Sequence, residues 1–382
     1  MQGKKNEYFI YWTFFISCLW ALTFGLRRID VGNDTFFYSM FFENKSDSTT
    51  GYLSGGTIDH PGETIESGFV MFSRFVHFFT NSSTVYFTII SFWLLFVIRK
   101  LYILVSGYKL SIWNMFFVFT VTNSFVVFMV AVRQSISICM LLTGICFIIW
   151  NHKRTVEKRL SSLNERRKKF ASKANSRINK WSLLSLVFIG FSFVVHRSAM
   201  LLFPFLVVAY FVRFNKKTVY LILCSSFFIS LFFLNKISYL FDSVLLLIGN
   251  IGQDKVALLG DRYADSFGEN SLSVITKILW LIPALITTRL LNEDKIKSFF
   301  YTCYVFSVSV ALLLSGSHMV ERLNIVLVVL GFTCFVPEKV LVSKRWRNIY
   351  MLITFVFLML AFSRYIHWPD SDSCIPYHFF WE

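Results

Sequence analysis

The chain has 382 residues, 55% of them hydrophobic and 19% aromatic, with 46 Phe, only 16% charged residues and a net charge of +16. A soluble domain is about 45–50% apolar and about 25% charged, so this balance excludes an ordinary soluble globular protein. The excess lies in repeated apolar runs of roughly 14–20 residues, the length that crosses ~30 Å of hydrocarbon. Short alternating strands of the kind that build an outer-membrane barrel are missing from the pattern. The fold class expected is therefore an all-α polytopic membrane protein, with residues 1–382 as one integral membrane domain.

In chain order, Lys4-Lys5 precedes an apolar run from Tyr8 to Phe24 with no small-residue cleavage site behind it, which reads as a retained signal-anchor. Eleven spans are expected, at 8–24, 84–98, 112–130, 134–150, 182–195, 199–212, 218–234, 274–291, 298–315, 323–336 and 349–366. Several are shorter than about 17 residues and need flanking polar residues, tilt or a break to cross. A long loop, 25–83, follows the first span; its Gly51, Gly55, Gly56, Pro61 and Gly62 read as ordered loop. Within it, Gly68 to Phe79 is apolar but short and is interrupted by Arg74 and His77, so an interfacial or re-entrant segment is expected there. The 151–181 segment is basic, and the 235–273 loop carries Asp254, Lys255, Asp261, Arg262, Tyr263, Asp265 and Glu269. Of the seven cysteines, only Cys374 lies outside an apolar run, which supports neither a disulfide framework nor a zinc spacing.

The distribution of Lys and Arg sets the orientation. With the N-terminus in the cytoplasm and every run crossing, segments 1–7, 99–111, 151–181, 213–217, 289–297 and 337–348 face inward. They hold 26 of the 38 Lys and Arg and 6 of the 22 Asp and Glu, a balance of +20 against −4 for the rest of the chain. Loops 25–83 and 235–273 then face the outer side. The 151–181 loop is cytoplasmic, a charged helical face lying on anionic lipid headgroups. The aromatics among its charges are too sparse for nucleic-acid stacking, so no nucleic-acid partner is expected.

Twelve basic residues depart from this bias, and eight of them are Arg, whereas the inward segments hold sixteen Lys and ten Arg. Arg grips phosphate through a planar fork, so an Arg-rich outer face points to a pyrophosphate anchored in the outer leaflet. Arg74 and Arg364 fit headgroup contacts better. Arg27, Arg133, Arg197 and Arg322 each sit at the outer end of a span beside another polar residue. Arg133-Gln134 and His196-Arg197-Ser198 occupy tight turns between spans. His318, Glu321 and Arg322 would share one helix face. If the stretch after the first span is one helix, Arg27, Asp30, Asp34 and Tyr38 align similarly, with Gly32-Asn33 as the point where it would break. Glu66, before Ser67-Gly68, is placed to face the same cavity. His196 has two readings, a structural histidine at a helix end or a neutral imidazole serving as general base. No short-range pair of ligands marks a metal site.

These residues resemble the Wzy-type O-antigen and exopolysaccharide polymerases in their EpsG-like branch. The likeness is carried by Gly25-Leu26-Arg27, Val31-Gly32-Asn33-Asp34 and Tyr38, by Glu66-Ser67-Gly68-Phe69, by Val132-Arg133-Gln134-Ser135 and by His196-Arg197-Ser198-Ala199. Asn33 stands where such families often have Thr. The resemblance implies a GT-C-like membrane glycosyltransferase at the periplasmic face of the inner membrane, joining repeat units carried on undecaprenyl pyrophosphate. It implies catalytic roles for His196, Asp34 and Arg133. Substrate contacts would come from Arg27, Arg322, Arg197, Glu66, Tyr38, His318 and Arg262. No cofactor is expected, with a divalent cation left open. Membrane lipids, a chain-length regulator and a flippase are the further partners. A flippase for lipid-linked oligosaccharide and an O-antigen ligase are the alternatives.

Overall fold

The computed structural model describes residues 2–27, 33–43, 66–106, 131–166, 180–196, 199–233, 274–286 and 295–313, with isolated positions and the stretch 326–331 beyond them. Its described elements are helices: α1 (Gln2–Gly25), α2 (Asn33–Glu43), α3 (Ser67–His77), α4 (Ser83–Ser106), α5 (Val132–Arg166), α6 (Lys180–Val195), α7 (Ala199–Phe211), α8 (Lys216–Phe232), α9 (Val274–Ile286) and α10 (Lys295–Leu313). Helices suit such apolar runs because they satisfy every backbone polar group within the segment.

Eight of the eleven expected spans fall on described helices. The run 112–130 lies outside the described residues, and 323–336 and 349–366 are described only at a few positions. Among the described residues, three stretches are long and apolar enough to cross a membrane: Ser83–Val105, Val132–Thr155 and Lys295–Leu313. Trp181–Val195 and Leu202–Phe211 are shorter apolar helices. Large apolar side chains such as Phe14, Phe15, Leu186, Phe228 and Ile275 stand exposed on the outside of the bundle, as lipid-facing positions do.

The long helix α5 is the centre of the arrangement. It packs on α4 and α6, and α1 packs on the far side of α4. Gly144 lets α6 come close, since a Cβ there would stand 2.7 Å from Ile189 Cγ1 and 2.9 Å from the Ser185 carbonyl. Polar ties cross the same seams: Trp93 Nε1 donates to Thr143 Oγ1 at 3.1 Å, and Ser137 Oγ donates to the Ser192 carbonyl at 2.8 Å. A second group, α7 to α10, joins through the buried side of α10, where Phe300, Tyr301, Val305 and Val308 are fully covered. The helix α5 does not stop at the membrane boundary expected from sequence. The helix runs on to Arg166, so the first half of the basic 151–181 segment is its continuation.

The described residues of segment 25–83 include two helices, α2 and α3. α1 ends at Gly25 and a new helix starts at Asn33, so Arg27 and Tyr38 do not share one helix face. Gly25 closes α1, and glycine costs about 1 kcal/mol per residue within a helix. α3 has 11 residues, too few to span; Gly68, Phe69, Ser73 and Val76 are buried while Met71, Arg74 and Phe75 face outward. Phe69 and Val76 join Phe41, Phe42, Tyr86, Val132, Ile136 and Val195 in an aromatic-rich core separate from that of the main bundle.

A polar cluster where four helices meet

Above that small core, four expected side chains come together. Arg133, in the first turn of α5, donates from Nε to the Tyr38 hydroxyl of α2 at 2.8 Å. Its Nη1 pairs with Glu66 Oε2 at 3.0 Å. The other carboxylate oxygen, Glu66 Oε1, lies 3.0 Å from His196 Nδ1, just beyond α6. The Glu66 carboxylate thus bridges an arginine 67 residues away in sequence and a histidine 130 residues away. The Glu66 side chain is 14% exposed; those of Arg133 and His196 are each 24% exposed and can be reached from outside.

The elements are built to hold this geometry. Glu66 occupies the N-cap position of α3 in an extended conformation, yet its side chain makes no cap hydrogen bond. A capping side chain is commonly worth about 1 kcal/mol; here the carboxylate is turned away from the helix toward Arg133 and His196. Two residues on, Gly68 brings α3 against the end of α6. A Cβ at this position would lie 2.6 Å from the Val194 carbonyl carbon and 2.7 Å from the Val195 nitrogen. Val194 and Val195 immediately precede His196, so this contact sets the separation between the carboxylate and the imidazole. Tyr38 meets the ring of Phe69 edge-on, with centroids 5.5 Å apart, which fixes α2 to α3 beneath the hydroxyl.

Burial by itself raises the carboxyl of Glu66, but the hydrogen bond with His196 and the charge of Arg133 outweigh it and hold the group at about 2. At neutral pH it is a carboxylate and a poor proton acceptor. Its work is to orient. With Nδ1–H donated to Glu66, a neutral His196 carries its lone pair on Nε2, available to accept a proton. The same carboxylate fixes the Arg133 guanidinium, so a base and a cation are set side by side around one anion.

Arg27 is engaged elsewhere. It is 3% exposed, donates from Nη1 to the Phe24 carbonyl at 2.7 Å and from Nε and Nη2 to Thr35 Oγ1 at 3.4 Å, and lies 4.7 Å above the Phe87 ring. It fastens the end of α1 to α2 and α4. Asp34 falls in the first turn of α2, with its side chain outside the described residues. Arg197, Arg262, His318 and Arg322 also lie outside them. Among the described residues, no three His, Cys, Asp or Glu side chains gather as a metal ion would require. Two residues of this region had no role assigned from sequence, Gly68 and Thr35. Gly68 stood inside the Glu66-Ser67-Gly68 motif, and its closeness to a polar residue was the signal available.

Comparison with curated proteins and with solved structures finds no match. A family model described as the EpsG family matches residues 9–158 and 171–379, nearly the whole chain and all four residues of the cluster. The chain therefore belongs to the EpsG family, and with its long apolar helices it is a multi-pass membrane protein of polysaccharide-polymerase-like, glycosyl-transferring type.

Proposed function

We propose that the Tyr38–Arg133–Glu66–His196 cluster is the reaction centre of an O-antigen or exopolysaccharide polymerase with a GT-C-like bundle. It works at the periplasmic face of the inner membrane on repeat units linked to undecaprenyl pyrophosphate. A sugar hydroxyl of the incoming unit attacks the anomeric carbon of the donor glycan. The bond from that carbon to the phosphate oxygen breaks, and its electron pair leaves with the pyrophosphate. The hydroxyl proton passes to His196 Nε2. Arg133 then faces the negative charge that grows on the leaving group, in a partly buried site where a preorganised cation counts for more than in water. Protonation of His196 adds a second positive charge as that negative charge appears. Tyr38 and Glu66 hold the arginine so that little rearrangement is needed. Asp34, Arg197, Arg262, His318 and Arg322 are proposed to line the same cavity and hold the glycans and the pyrophosphate. Arg27 supports the site by holding α2.

The observation that carries this reading is the bridging carboxylate, 3.0 Å from both Arg133 and His196. A flippase needs charged groups through the depth of the bilayer, whereas the charged pair of this cluster, Glu66 and Arg133, lies at helix ends. A ligase shares the donor and the leaving group and differs in the acceptor. Deletion of the gene followed by gel analysis of surface polysaccharide separates a polymerase from the other two. Loss of a polymerase leaves core carrying one repeat unit, and loss of a flippase or ligase leaves bare core. Bare core after deletion would overturn the proposal.

A further inference from the structure

The opposite half of α5 borders a cavity of about 580 Å³ between α5, α6, α7 and α10. Its walls are apolar, with Leu141, Ile145, Ile189, Leu206 and Phe299 among them. Its mouth is polar: Asn151, His152, Thr155, Ser182 and Lys295 lie at one end, and no carboxylate lines it among the described residues. The mouth is organised. Asn151 Nδ2 donates to Ser182 Oγ at 3.1 Å, and the Lys295 ammonium sits 4.2 Å from the centre of the Tyr210 ring, another wall residue. Leu186, Phe203 and Phe211 on the rim are exposed, so the cavity opens sideways into the surroundings of the bundle.

Length and charge specify the occupant. From Leu141 to His152 the helix rises ~16 Å, about one leaflet of a ~30 Å hydrocarbon layer. From His152 to Arg133 it rises ~28 Å, so the mouth and the polar cluster stand at opposite boundaries. The α5 sequence beyond the mouth holds Lys153, Arg154, Lys158, Arg159 and Arg166 against Glu157 and Glu165, a basic balance that favours an anionic leaflet. The size falls within the ~300–1,000 Å³ of ordinary ligand sites. We infer that this cavity is a binding site for an anionic bilayer phospholipid, one acyl chain lying between α5, α6, α7 and α10 and the phosphate resting at His152 and Lys295. The site is distinct from the Glu66 cluster and does not depend on what that cluster does.

The test uses the full-length protein, stripped of lipid in detergent and offered phosphatidylglycerol, phosphatidylcholine or undecaprenyl phosphate, with retention read by native mass spectrometry. The wild type should keep phosphatidylglycerol in preference to both others. Lys295→Gln should lower the preference over phosphatidylcholine about fivefold, the effect of one cation near an anionic headgroup. Val207→Trp, on a half-buried wall position, should abolish retention. In the wild type, phosphatidylglycerol should also raise the unfolding temperature. Equal retention of phosphatidylglycerol and phosphatidylcholine, or preference for undecaprenyl phosphate, would overturn the assignment. So would unchanged selectivity in Lys295→Gln at an unfolding temperature equal to that of the wild type.

Discussion

The two ends of α5 solve the burial of polar groups in opposite ways. At the Arg133 end, polar side chains from four elements satisfy one another: a carboxylate between a guanidinium and an imidazole, with a phenol behind. At the His152 end, polar groups ring the mouth of an apolar cavity, and no carboxylate among the described lining residues answers their charge. The first arrangement holds groups still at fixed distances, as chemistry requires. The second sets the Lys295 ammonium on the Tyr210 ring beside an apolar cavity, an arrangement suited to recognition of an anion with an apolar tail. Positive charge alone would not tell them apart; the presence or absence of a bridging carboxylate does.

The largest effect should come from the imidazole. His196→Ala is expected to reduce polymerisation by about 10²–10⁴-fold, the usual contribution of a positioned general base. Polysaccharide ladders at matched membrane levels, or turnover of lipid-linked repeats by purified protein, would measure it. Near-normal laddering would leave His196 a structural residue and remove the chemical side of the comparison.

Gly68→Ala tests whether the cluster depends on the approach of α3 to α6. The nearest contact would be backbone at 2.6 Å, which no side-chain rotation can relieve. Overpacking of this kind costs about 1–3 kcal/mol and should separate Glu66 from His196. A lowered unfolding temperature in detergent is expected together with loss of long polysaccharide chains. A change in temperature alone would mean that the separation is not critical.

Acid should weaken the Arg133 end selectively. The folded value of Glu66, about 2, lies below its ordinary value of 4.5. The stability that its carboxylate lends is therefore complete above pH 4.5 and is lost as pH falls through about 2. Glu66→Gln should lower stability at pH 7, with the difference from wild type shrinking on acidification below pH 4.5. Thermal unfolding at a series of pH values would show it, and a difference independent of pH would mean that the carboxylate charge is not what holds the cluster.

The smallest effect on catalysis belongs to the other end. Lys295→Gln should leave the ladder unchanged while altering lipid selectivity. A shortened ladder would mean that the two ends are coupled rather than independent.

Much of the scaffold was legible in the residues themselves. Apolar runs of membrane-spanning length become helices because the backbone has no other partner in hydrocarbon, and eight expected runs coincide with described helices. The short apolar segment with Arg74 and His77 is a helix too brief to span. Tyr38, Glu66, Arg133 and His196 could be selected by type and by their position at the ends of runs. Their partnership could not. Arg27 and Arg133 look alike in sequence, each beside a span end, yet one is buried against Phe24, Thr35 and Phe87 while the other joins Glu66. The break before Asn33 and the close contact at Gly68 decide this, and both are matters of how separate helices meet. Local composition determines which segments are helical because helix bonds are made within a few residues. The tertiary structure alone decides which charges neutralise and which stay open to a ligand, because those contacts join residues 67 to 130 positions apart and are set by the packing of helix ends.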